Sequence, residues 1–185
     1  MRYSVLGILF LAVFLSMGCI GTAGFAQYNT DFSNVLNRNG SDTQNLVPPT
    51  LEQLNALELE ITALQETIKK QGISTDQQAI LLLIEMELNL IHMQQNILVG
   101  QEQAQFANLA FPSCEPTSNL GKAISFFDQA KTQATLAGKN LDSFTTDYPA
   151  QSQQTQIDFE ILKTSILGSQ QSITQSKQIA EQFCP

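Results

Sequence analysis

His92, the single histidine of the chain, is the first residue to examine for chemistry. On a helix it would share one face with three other polar residues, Glu85, Asn89 and Asn96. Helical bundles that hold two metal ions use Glu-x-x-His pairs on facing helices. In this chain Asn89 occupies the glutamate position and a second histidine is absent. We therefore predict that there is no metal site and that His92 is a solvated surface residue.

Glutamate pairs are the next candidates, because acid–base catalysis needs two carboxylates in a cleft. The pairs Glu58/Glu60 and Glu85/Glu87 are each two residues apart, a spacing that turns their side chains in different directions on a helix. Glu58 and Glu85 could instead approach each other across a helical hairpin, which would suit an unrecognised hydrolase or metal enzyme. The sequence has no Gly-x-Ser-x-Gly motif, no glycine-rich phosphate loop and no haem-attachment motif. We predict that the protein is not an enzyme and binds no cofactor.

The first 26 residues have the pattern of an export signal. Arg2 supplies a positive charge, Val5 to Met17 form an apolar run, and small residues precede a cleavage site. We predict that residues 1–26 are a signal peptide, cleaved after Ala26 or Ala23, and that the mature protein is secreted or periplasmic.

Two alternatives would keep the protein at a membrane. An uncleaved segment could act as an anchor, because no charged residue falls between Ser4 and Thr30 and a helix of about 20 apolar residues spans a bilayer. Lipidation at Cys19 is the second alternative. Bacterial lipoprotein signals resemble Leu15-Ser16-Met17-Gly18-Cys19, with small residues before the cysteine, but carry an aliphatic residue where this chain has Ser16. Membrane contact is predicted only in these two cases.

The remaining composition limits the partners and suggests a disulfide. Without Arg2 the chain has eight basic and 17 acidic residues and a net charge of −9, which argues against nucleic acid and anionic membrane surfaces as partners. Much of its polarity comes from 23 glutamines. Once Cys19 is removed or lipidated, Cys114 and Cys184 form an even pair in an oxidising compartment, and we predict a disulfide between them.

The apolar spacing predicts an all-α protein. Residues 27–49 are polar, contain the Asn39-Gly40 turn signal and end in Pro48-Pro49, so we predict a flexible N-terminal arm or linker. Residues 50–185 are predicted to form one helical bundle domain with four helices: A (50–71), B (75–110), C (118–147) and D, which starts at Pro149. Helix C has a regular stripe with small residues at its centre, so a partner helix can approach closely there; its members are Leu120, Ala123, Phe127, Ala130, Ala134, Ala137, Leu141, Phe144 and Tyr148.

The helix count predicts where the two cysteines meet. Short connections make neighbouring helices antiparallel, which gives an up-down-up-down four-helix bundle. The B–C connection and the end of helix D then lie at the same end of the bundle, and so do Cys114 and Cys184. Helices B, C and D are longer than A, so we expect a three-helix stem over part of the length, with helix A and the 27–49 arm covering the rest. An apolar strip left uncovered at that end would be a docking surface.

These features favour an exported, non-enzymatic helical bundle that acts through protein–protein contacts or self-association. Its coiled-coil-like stripes suit self-association, although charge pairs that would select a partner are sparse. The glutamine-rich faces of helix D are either simply solvated, which is the more ordinary interpretation, or packed against another chain. The alternative is a carrier of a small apolar ligand, a lipid or fatty acid, in the bundle core. Four phenylalanines toward the disulfide end could line such a pocket or simply fill the core: Phe106, Phe111, Phe126 and Phe127.

Overall fold

The computed structural model describes residues 23–40, 49–71, 74–107, 112–155 and 157–184. Over these residues every regular element is helical, in agreement with the predicted all-α class. These ranges contain six helices where four were expected: α1 (Ala23–Gly40), α2 (Leu51–Lys69), α3 (Thr75–Gln105), α4 (Asn119–Asp147), α5 (Pro149–Ser152) and α6 (Phe159–Glu181). Helices A, B and C of the prediction correspond to α2, α3 and α4, whereas helix D is divided into α5 and α6.

The expectation of an irregular arm is wrong for residues 27–40, which belong to α1. Phe25, Tyr28, Phe32 and Val35 follow one another at steps of three, four and three, and three of them are buried. This stripe was missed because its first member, Phe25, falls inside the segment assigned to the export signal. The helix ends at Gly40, so the Asn39-Gly40 turn signal coincides with the end of the helix.

The starts of α2 and α3 follow directly from sequence. Thr50 accepts a hydrogen bond from the Gln53 amide at 3.2 Å, and the Gln53 side chain accepts one from the Thr50 amide at 2.8 Å. Ser74 and Gln77 make the same reciprocal capping box at the start of α3. These side chains satisfy backbone donors that the first turn of a helix leaves without partners.

Two predicted helix limits are corrected. Helix B ends at Gln105 rather than near Ala110. Helix D is interrupted after Ser152, whose carbonyl accepts a hydrogen bond from the Thr155 hydroxyl, and it restarts where Asp158 accepts from the Ile161 amide at 3.0 Å. Short polar side chains of this kind compete with the helical backbone for hydrogen bonds, and this competition favours a break over one continuous helix.

Cross-helix hydrogen bonds show which helices pack together and in which direction. Glu58 of α2 meets His92 of α3, and the register runs antiparallel, with Asn55 bonded to Gln95. In the same way α3 runs antiparallel to α4, and α4 to α6. The bonds and contacts that define these two pairs are Gln78–Tyr148 and Gly100–Phe127 for α3 and α4, and Asp128–Lys177 and Asp142–Lys163 for α4 and α6.

The core lies along α3 and α4, which share the most extensive helix interface in the described structure. Buried positions of α4 include four alanines with no exposed area, Ala123, Ala130, Ala134 and Ala137. Helix α1 packs against both α2 and α3, whereas α6 packs against α4. Cys114, in the connection before α4, is joined by a disulfide to Cys184, just after α6, with the two Cα atoms 5.6 Å apart.

The disulfide-bearing connection packs directly on the first turn of α4 at Gly121. A Cβ atom built on Gly121 would overlap the backbone carbonyl of Glu115, whereas one built on Gly138 would meet only a methyl group of Ile166, at 3.8 Å. We expect Gly121→Ala to lower the free energy of unfolding by about 1–3 kcal/mol, the usual cost of overpacking. Urea unfolding of the oxidised protein measures this change.

Gly138→Ala is the matched control on the same helix. It should be neutral or should raise the free energy of unfolding by up to about 1 kcal/mol, because alanine is the better helix former. Equal effects of the two substitutions would contradict the close packing of the 112–118 connection on α4.

Candidate functional site

A polar cluster joins α2 to α3 around Glu58. One carboxylate oxygen of Glu58 lies 2.9 Å from Nε2 of His92, and the other accepts a hydrogen bond from the Gln95 side chain at 2.7 Å. Gln95 also donates to the side-chain carbonyl of Asn55 at 2.9 Å. The cluster is half-buried, with 37% of the His92 side chain and 36% of the Glu58 side chain exposed. His92 is therefore not the freely solvated residue that we expected, but one partner in a contact between two helices.

The electrostatics of the cluster favour an ionised Glu58. Partial burial by itself would raise the pKa of this carboxyl, but the hydrogen bonds from Gln95 and His92, together with the charge of His92, outweigh burial and lower the pKa. A carboxylate held in its charged form beside an imidazole stabilises the α2–α3 pair above the ordinary pKa of glutamic acid, and this stabilisation is lost as the pH falls through the lowered value.

The suggested approach of Glu58 and Glu85 does not occur. In the antiparallel register that pairs Glu58 with His92, Glu85 lies about two turns further along α3, and its side chain is exposed. Among the described residues no three of His, Cys, Asp and Glu are grouped as metal ligands would be. The chemistry that this cluster shows is a charged hydrogen-bond contact between helices.

The phenylalanines near the disulfide do not converge on one pocket. Phe127 is buried against Gly100 of α3, while Phe106 at the end of α3 is 66% exposed, and Phe111 lies outside the described residues. A groove of about 530 Å³ does lie beside the disulfide, but Phe106, Phe126 and Phe127 do not line it. Its walls are Cys114, Pro116 and one side of α4, with polar residues such as Asp128 and Gln129.

Glu87 of α3 is a buried carboxyl that we did not predict from the sequence. Glu87 is 9% exposed and shares one helical face with buried residues at steps of three and four, Ile80, Ile84, Ile91 and Gln94. Desolvation by burial raises the pKa of Glu87 to about 7, and none of the described residues supplies an opposing charge or hydrogen bond. The heptad spacing from Ile80 to Gln94 would have revealed this position, but Glu87 was considered only as the neighbour of Glu85.

An uncovered strip lies along α6. Ile161 and Ile179 are 53% and 55% exposed and fall on one side of the helix, beside the face that packs on α4. Phe183, which is 42% exposed, follows in the turn just after the helix ends. Half-buried small residues continue the strip between the two isoleucines, namely Ser165, Gly168, Ser172 and Ser176. We call these seven residues the α6 strip. Helix α6 has no second helical neighbour of comparable extent among the described residues, so the strip is open.

The other predicted site residues divide into two groups. Cys114 and Cys184 are brought together in the disulfide, whereas Cys19 lies outside the described residues. No described helix is both long and apolar enough to cross a bilayer. Comparison with protein-family models, with curated proteins and with solved structures finds no significant match.

The raised pKa of Glu87 predicts a pH-dependent stability. The unfolded chain loses this proton near pH 4.5 and the folded chain near pH 7, so the folded form binds the extra proton between these values. Stability therefore falls by roughly 3 kcal/mol as the pH rises from 4.5 to 7. We expect Glu87→Gln to remove this fall and to be more stable than the wild type at pH 8, as measured by urea unfolding across this pH range.

Glu85→Gln serves as the control, because Glu85 is exposed on the same helix. It should leave the pH dependence of unfolding unchanged. A constant difference in stability between wild type and Glu87→Gln from pH 4.5 to pH 8 would contradict the burial of the Glu87 carboxyl.

Proposed function

We propose that this protein is an exported, non-enzymatic helical bundle that acts by associating with a second copy of itself. The bundle is an up-down-up-down arrangement of α2, α3, α4 and α6, with α1 alongside α2 and α3. The antiparallel cross-helix bonds support this arrangement. The signal pattern of residues 1–26 and the Cys114–Cys184 disulfide support export, since disulfides persist in oxidising compartments.

The open α6 strip is the observation that carries this proposal. Large apolar side chains on a helix are normally buried against a neighbour, and exposed apolar surface bordered by polar residues is typical of a protein contact site. Ile161 and Ile179 are separated by 18 residues, which is five helical turns, so they point in the same direction. The serines and Gly168 between them are small enough for another helix backbone to come close.

The order of residues along the strip favours a second copy of the same chain. Ile161 and Ile179 are equidistant from Gln170, and so are Gly168 and Ser172. An antiparallel pair of α6 helices related by a two-fold axis that passes between Gly168 and Ser172 would place Ile161 of each chain against Ile179 of its partner. The small residues would then meet at the centre. Two-fold dimers require such a self-complementary surface.

The polar border of the strip is compatible with close contact. Gln171, Gln175 and Gln182 lie on the side of the strip away from α4. A neutral amide costs less to remove from water than a charge, and it can form hydrogen bonds to another chain. This border also avoids the repulsion that the acidic surface of the protein would otherwise cause between two copies.

Charged substitutions within the strip test the proposal. We expect the wild-type protein to show a concentration-dependent monomer–dimer equilibrium in sedimentation velocity. The double variant Ile161→Glu/Ile179→Glu should be monomeric at every concentration, because dimerisation would bury four like charges. Both isoleucines are exposed, so the variant should keep the helical circular dichroism and the disulfide of the wild type.

Leu167→Glu is the matched control. Leu167 is 51% exposed on the same helix, but it lies about 120° around the axis from Ile161. This variant should dimerise like the wild type. A wild-type protein that stays monomeric throughout, or a control that weakens association as much as the double variant, would contradict the proposed dimer.

A further inference from the structure

We infer that processing of the exported chain leaves Phe25 in the mature protein, so that the processing site lies at or before the Ala23–Gly24 bond. This inference rests on the proposed export. It selects among the sequence-based alternatives: cleavage after Ala26 would remove Phe25, whereas cleavage after Ala23 or before a lipidated Cys19 would keep it.

Phe25 is a core residue of the folded protein. Its side chain has no exposed area, and its ring stacks against Phe144 of α4 with ring centroids 6.4 Å apart. Phe144 in turn contacts Tyr148 at 6.3 Å and Phe159, at the start of α6, at 5.7 Å. Phe25 therefore completes an aromatic cluster that joins α1, α4 and α6, and its loss would remove one of the rings that pack on Phe144.

The backbone around Phe25 is also part of the fold. A Cβ atom built on Gly24 would lie 3.2 Å from a carboxylate oxygen of Asp76, so the first turn of α1 packs closely against the first turn of α3. The carbonyl of Ala26 accepts a hydrogen bond from the Thr30 hydroxyl at 2.8 Å. Residues 24–26 thus behave as the first turn of a packed helix and not as an extended cleavage site.

Cleavage after Ala26 would remove these contacts. Hydrolysis adds water across the Ala26–Gln27 peptide bond and leaves a carboxylate on Ala26 and an amine on Gln27. The released segment would include Phe25 and the Ala26 carbonyl, which accepts the hydrogen bond from the Thr30 hydroxyl. The new positive amine would sit at the start of the shortened helix, where the helix dipole disfavours positive charge.

A pair of substitutions in the full-length precursor tests the inference. Phe25→Ala is compared with Ala26→Ser, which changes an exposed neighbour. Each precursor is expressed in an exporting host, and the product is analysed by intact mass, N-terminal sequencing and thermal unfolding. We expect the Phe25→Ala product to be lighter than the wild-type product by the difference between the two side chains. Its Tm should fall by roughly 10 °C, while Ala26→Ser keeps the wild-type Tm.

The N-terminus of the product decides the outcome. Material that begins at Gly24, or at a lipid-modified Cys19, supports the inference. Material that begins at Gln27, with Phe25→Ala and wild-type products identical in mass and Tm, would overturn it. An unchanged Tm in a Phe25→Ala product that retains residue 25 would overturn the packing argument behind the inference, because Phe25 would then have no part in the core.

Failure of export gives a different result. The chain would then stay inside the cell with residues 1–26 attached, which would contradict the proposed localisation. Thermal unfolding of Phe25→Ala and Ala26→Ser in that material would still measure the contribution of Phe25 to the core. Should Phe25→Ala fail to accumulate, Phe25→Leu keeps an apolar side chain and allows the same comparison, with a smaller loss in Tm.

Discussion

Alanine occupies the buried positions along the middle of α4, and this constraint organises the rest of the structure. Four alanines without exposed area let the α4 backbone come closer to its neighbours than leucines would. Helix α3 makes the most extensive interface with α4, and Gly100 of α3 approaches Phe127 so closely that a methyl group would crowd the ring. The other helices pack outward from this pair, with α1 and α2 on α3 and α6 on α4.

Polar side chains complement this apolar packing by setting the register between helices. Glu58, His92 and Gln95 join α2 to α3, whereas Lys163 and Lys177 pair with aspartates of α4 along α6. These ion pairs are half-buried or exposed, and such pairs contribute little to stability. Their positions do select one register between two helices. Apolar contacts alone discriminate only weakly between that register and one shifted by a helical turn.

The proposed function and the proposed processing site rest on features near the two ends of the chain. At the C-terminal end, α6 packs mainly on α4 within the described part of the chain and leaves an open strip, which explains how a small bundle can present apolar surface while its core remains closed. At the other end, α1 starts within the segment that resembles an export signal. The burial of Phe25 makes it part of the folded structure, although it lies within the segment whose pattern resembles an export signal.

Much of the architecture was determined by sequence-local signals. The capping boxes at Thr50 and Ser74, the proline at the start of α5 and the helical spacing of apolar residues predicted α2, α3 and α4 to within a few residues at most of their ends. The all-α class and the meeting of Cys114 with Cys184 followed from these elements. Local signals suffice here because capping and amphipathic spacing act over one or two helical turns.

Tertiary structure decided what depends on contacts between distant residues. Sequence showed Glu58, Glu85 and His92 on two helices, but the register of α2 on α3 determined that Glu58 meets His92 and leaves Glu85 exposed. The burial of Glu87, the inclusion of Phe25 in the core and the openness of the α6 strip depend on which neighbours each helix acquires. A helical stripe shows that a face is apolar, but only the packed structure shows whether another helix covers it.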